Sequence, residues 1–198
     1  TKAVTELAQY PFKALYDNGI HVTLNTDNRM VSATNLSKEY EKISAWYPDF
    51  SLSDFEKIIK GVTRIAGHEI DISKIEIIDR GIPHIPKSLK AGTMGVYTFL
   101  YNDKFLKIGK AGPNSNARFL SQHYTGSAMS TLSGSILADP DMEKFGLTKD
   151  NVGQWIKNNC RRIDILLDVE VGIFTLELIE ATLHYRYEPK YEGFTSQR

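Results

Sequence analysis

Residues 95–110 read GVYTFLYNDKFLKIGK. Two β-type runs, 96–101 and 105–108, flank the turn formers Asn102-Asp103. Aromatic and β-branched residues on either side of such a pair predict a β-hairpin. Gly95-Val96-Tyr97 opens its first strand and Lys107-Ile108-Gly109 closes its second. Both glycines also suit strand ends.

Beyond the hairpin the pattern turns helical. The spacing predicts helices over 116–124, over the serine-rich stretch 127–137, and over 149–159, where Thr148 suits the N-cap. Residues 162–169, rich in Ile, Leu and Val, predict a strand. A last helix over about 173–187 is stopped by Pro189. Before the hairpin, residues 67–92 change character. They hold a short strand candidate at 74–78 and the loop former Gly81-Ile82-Pro83-His84-Ile85-Pro86.

The first segment reads helix, strand, helix, helix. Pro11 suits a helix start and Gly19 a helix end. Residues 21–24 alternate like a strand, 36–46 suggest a helix, and Ser53-Asp54-Phe55-Glu56 has capping-box form. The expected division is 1–67, a lead-in over 68–92, and 93–198. The expected fold is α+β, a small antiparallel three-stranded sheet flanked by helices and preceded by a mostly helical segment with one strand.

A chain of 198 residues holds one large or two small domains. No apolar run approaches the ~20 residues needed to span a bilayer, and TKAVTELAQYPF lacks the form of a secretory signal. One cysteine, Cys160, excludes a disulfide framework. These features predict a cytoplasmic protein without a membrane partner. The formal net charge is zero and both halves are balanced. That counts against tight non-specific binding to nucleic acid, though not against a local basic cleft.

The last helix carries one chemical anomaly. On a wheel of about 100° per residue, Ile173, Leu176, Ile179, Leu183 and Tyr187 make one apolar arc. Glu180 falls inside that arc and Glu177 at its edge. A carboxylate there is costly unless paired or bound to metal. The two readings are a structural pair, for instance with His184 one turn on, or metal ligation.

The hairpin triplets, Arg118 nine residues after Gly109, and the spacing of Glu180, Leu183, Pro189 and Tyr191 together resemble the GIY-YIG nucleases over about residues 93–191. The resemblance implies a metal-dependent endonuclease acting on nucleic acid, with DNA the expected partner. It implies Mg²⁺ or Mn²⁺ held by Glu180, a phosphate held by Arg118, and an attacking water oriented by Tyr97 with help from Lys107. Gly109, Lys110, His123 and Tyr124 are the expected substrate-binding neighbours. The departures are Lys107 in place of tyrosine, Gln122 four residues after Arg118 where His or Tyr is usual, and Glu192 in place of asparagine. A module that binds nucleic acid without cutting it is the alternative.

A second resemblance covers residues 1–60. TKAV, YPFKALYDNGIHVTLNTDNRMVS, TNLSKEY and LSDFEKIIK resemble the C-terminal portion of bacterial adenosine deaminase. That resemblance implies the last strand and following helices of a (β/α)8 barrel. Asp27 matches the family's aspartate zinc ligand, and Asn28 the next position, near the bound purine. No His-x-His pair occurs in this sequence, and a catalytic zinc normally takes three protein ligands and a water. Asp27 as a loop or capping residue is the plainer reading. The expectation is therefore a non-catalytic, deaminase-like remnant, with deaminase-class function through this segment as a further alternative.

Overall fold

The structure is a computed structural model that describes residues 52–192. The chain divides into two compact units, Thr1–Phe50 and Ser51–Arg198, and the second is described here. Asp27, Asn28 and the elements expected before residue 52 lie outside the described residues.

Helix α1 (Leu52–Ile65) buries Phe55, Ile59 and Thr63, spaced one turn apart. The Thr63 hydroxyl donates to the Ile59 carbonyl and accepts from the Ile70 amide, so the chain leaving the helix folds back on it. Strand β1 (Ile75–Gly81) follows, then a loop with a cis Ile82-Pro83 bond, then β2 (Thr93–Tyr101) and β3 (Lys104–Ala111). Asn102 and Asp103 both take positive φ, 48° and 59°. A two-residue turn with both central residues left-handed matches the twist of the flanking strands.

After β3 comes a π-helical turn, Arg118–Gln122, running into one α turn at His123–Thr125. Short helices α2 (Leu132–Leu137) and α3 (Val152–Asn159) follow, then β4 (Arg161–Asp168) and α4 (Ile173–Tyr187). Thr131 caps α2 by accepting from the Gly134 amide. Asn151 rather than Thr148 stands at the start of α3.

The sheet has four strands rather than three, in the order β1-β4-β2-β3, all neighbours antiparallel. The added strand is β1, which lies along the outer side of β4, pairing Ile75 with Leu167 and Ile77 with Ile165. β2 is buried along nearly its whole length, as a central strand covered on both faces should be. Tyr97 and Phe99 face a cluster with Phe119, Tyr124, Leu132, Ile136 and Ile156. Helices α1 and α4 pack together, with Phe55 edge-on to both Tyr187 and Phe105. The free edge of β3 is capped by the chain after α4. The Lys190 amide donates to the Phe105 carbonyl and the Tyr191 amide to the Leu106 carbonyl. Among the described residues no helix is long and apolar enough to cross a membrane.

Candidate functional site around Tyr97 and Arg118

Tyr97 and Gly109 are partners in the β2–β3 register. The Tyr97 ring lies over Gly109, and a Cβ on Gly109 would collide with its hydroxyl. Glycine here is therefore a space requirement: it lets the phenol cross the neighbouring strand. The ring is walled by His123 at 4.6 Å between centroids, Phe99 at 6.0 Å and Phe119 at 6.2 Å.

Arg118, half-buried, closes the open side. Its Nε–H donates to the Tyr97 hydroxyl at 3.3 Å. Its Nη1 and Nη2 donate to the carbonyls of Met129 and Ser130, each at 2.9 Å. The π turn explains how Arg118 and His123 both reach Tyr97. A π turn holds one more residue than an α turn, so His123, five residues after Arg118, swings to the side that a position four residues on would occupy. Gln122 does not take that place.

Electrostatics set the protonation of these groups. Burial pushes the Tyr97 phenol up to about 12, against the pull of the Arg118 charge. It stays a neutral phenol and does not ionise near neutral pH. Burial drives His123 down to about 2, aided by the positive charges of Arg118, Lys107 and Arg162. The neutral His123 ring accepts from the Leu132 amide at Nδ1. Its proton therefore sits on Nε2, a buried atom without a hydrogen-bond partner among the described residues.

Lys107 turns away. Its ammonium is only 2% exposed and donates to the Tyr191 carbonyl and to Glu192 at 2.9 Å. It anchors the chain after α4, so the expected helper is engaged elsewhere. Glu180 is paired with Lys110 at 2.5 Å, and Glu177 stands 3.9 Å from the same ammonium. Tyr124 belongs to a buried network beneath the site. Its hydroxyl donates to His84 Nε2 and accepts from Arg162 Nη1, both at 2.8 Å. His84 Nδ1–H donates to the Cys160 carbonyl. Arg162 and Asp164, both fully buried on β4, pair at 2.7 Å, and Arg80 reaches the second Asp164 oxygen at 2.8 Å. Arg162 Nη2 also donates to the Phe119 carbonyl inside the π turn. Sequence reading passed over His84, Arg80, Arg162 and Asp164. The signal was two charges at alternate positions inside an otherwise apolar strand.

Among the described residues no group of three or more His, Cys, Asp or Glu side chains could hold a metal ion. The Glu180 and Glu177 carboxylates share the Lys110 ammonium, which occupies the place a cation would take.

The comparisons with known proteins point to the first segment. The family model for adenosine deaminase matches residues 1–80. An adenosine deaminase of Lactococcus lactis subsp. lactis is 97% identical over 58 residues, 29% of this chain and 16% of that protein. One of Streptococcus mutans is 49% identical over 55 residues, 28% of this chain and 16% of that protein. One of Clostridium acetobutylicum is 36% identical over 81 residues, 40% and 24%. The chain thus spans between a sixth and a quarter of the length of these relatives. No solved structure matches.

These findings correct the expectations drawn from the hairpin. The family whose model matches is adenosine deaminase, over residues 1–80, and nothing in the comparisons supports the GIY-YIG endonuclease assignment. Mg²⁺ or Mn²⁺ on Glu180 falls with that assignment, because adenosine deaminases use zinc. The physical reason agrees: Glu180 already has Lys110 as its counter-ion.

Proposed function

We propose that this chain serves the hydrolytic deamination of adenosine through its first 80 residues. The observation that carries the reading is the 97% identity to the Lactococcus lactis deaminase over 58 residues. On the residues that carry the resemblance, Asp27 is the zinc ligand and Asn28 lies beside the purine. Zinc normally takes about three protein donors, and the described residues supply no such group. The remaining donors then come from polypeptide outside the matched segment. The test mixes the purified chain with a copy of the Lactococcus deaminase lacking the 58 matched residues. Zinc retained after dialysis should rise over the separate components, and Asp27→Ala in this chain should remove the gain. Equal zinc with and without Asp27 would contradict the reading.

A second reading, for the unit Ser51–Arg198, is favoured by one observation: Arg118, half-buried beside Tyr97, holds two adjacent carbonyl oxygens, of Met129 and Ser130, in its fork. A planar guanidinium suits phosphate oxygens. The reading is a module that binds nucleic acid without cutting it. Fluorescence anisotropy on single-stranded, duplex and branched oligonucleotides should show Arg118→Met weakening binding and lowering the salt slope by about one. An unchanged slope would remove Arg118 from the contact.

A further inference from the structure

We propose that the loop 126–131 is a strap that closes Arg118 against phosphate. This inference rests on the second reading above. The two nitrogens of the guanidinium fork donate to the carbonyls of adjacent residues, Met129 and Ser130. Two oxygens side by side on that edge are what a phosphate group would present. The strap thus occupies the place of the ligand with a piece of its own backbone.

The strap is anchored at its ends and loosely held between them. At the start, the Gly126 amide donates to the Gln122 carbonyl and Thr125 bonds Ser127 through their hydroxyls. At the end, Thr131 caps α2 and the Leu132 amide donates to His123. Among the described residues, the side-chain bonds that reach the middle, where residues 129–130 form a turn, are the two from Arg118. Met129 is 84% exposed, so its side chain does not fasten the loop. Ser130 takes φ 53°, the left-handed region that a non-glycine residue enters at a cost. Closed strap and bound phosphate compete for the same N–H groups. A charged phosphate is the stronger acceptor, so a phosphate that reaches the fork opens the strap. The apparent affinity is lowered by the fraction of time the strap is closed.

The φ of Ser130 offers two opposed substitutions. Ser130→Gly keeps the left-handed conformation and favours closure; Ser130→Pro forbids it, because proline fixes φ near −65°. The probe is a fluorescein-labelled single-stranded DNA oligonucleotide. Ser130→Pro should bind roughly tenfold tighter than the unaltered chain, and Ser130→Gly no tighter. Arg118→Met should lose the binding. If Arg118→Met loses binding while Ser130→Pro and the unaltered chain bind alike, the strap is overturned and the phosphate site stands. If Arg118→Met binds like the unaltered chain, the phosphate reading itself fails, and the strap as a phosphate gate fails with it. A ligand-free arm covers a Ser130→Pro chain that does not fold: limited proteolysis should cut the 126–131 loop faster in Arg118→Met. Cutting at the unaltered rate would show that Arg118 does not fasten the strap.

Discussion

At position 109 a single methyl group would decide whether Tyr97 can lie across β3. Its Cβ would overlap the phenol, and the ring is fixed by His123, Phe99 and Phe119. Neither strand nor ring can yield cheaply in a packed interior. Gly109→Ala should therefore cost about 1–3 kcal/mol of stability, as overpacking does. Urea denaturation would read it, and an unchanged midpoint would show that the ring has room to move. The triplet Lys107-Ile108-Gly109 was legible in sequence as a strand end, but the reason for its glycine was not. Which ring crosses which strand is a property of the register. The fate of Glu180 has the same origin. Its place on the apolar arc of the last helix could be read from spacing alone. Its partner, Lys110, is 70 residues away, and the nearer candidate, His184, donates its Nε2–H to the Ile108 carbonyl instead.

Among the elements, the hairpin and the last helix were readable because their causes are local. Asn102-Asp103 selects the turn, and the apolar arc and Pro189 delimit residues 173–187. Three features were not. The π turn inserts a residue without changing the apolar spacing, so His123 looked out of place relative to Arg118. β1 was visible as a short candidate, yet its pairing with β4 is a long-range choice that no local pattern announces. β4 read as an ordinary apolar strand, although Arg162 and Asp164 carry a buried ion pair on one of its faces. That pair yields a prediction for the strand. Asp164→Leu would leave Arg162, fully buried, and Arg80 without their shared carboxylate. Losing one partner of a buried pair costs about 3–5 kcal/mol. Chemical denaturation should show a loss of that order, and a loss well below 1 kcal/mol would show that the network is dispensable.

For the whole molecule, two buried histidines make stability depend on acid. Burial lowers His84 to about 4 and His123 to about 2, against an unfolded value near 6.5. The unfolded chain binds these protons first. The stability is therefore fully present above about pH 6.5 and is lost as pH falls towards the folded values. His84 alone accounts for on the order of 3 kcal/mol between pH 6.5 and 4. Denaturation midpoints should drop steadily over that range, and His84→Gln should flatten the drop. A flat profile in the unaltered chain would contradict the neutral, buried state of both rings.

The same scale holds the question of what the chain does. The likeness of residues 1–60 to adenosine deaminase is recognisable because identity there is dense, whereas the unit from Ser51 onward has no solved relative to place it. The most direct measurement is inosine formation from adenosine, followed by absorbance, when this chain is mixed with the Lactococcus deaminase lacking its 58 matched residues. The deaminase account predicts conversion in the mixture, none from the truncated enzyme alone, and loss on Asp27→Ala. No conversion in a mixture whose two components are each folded would contradict it.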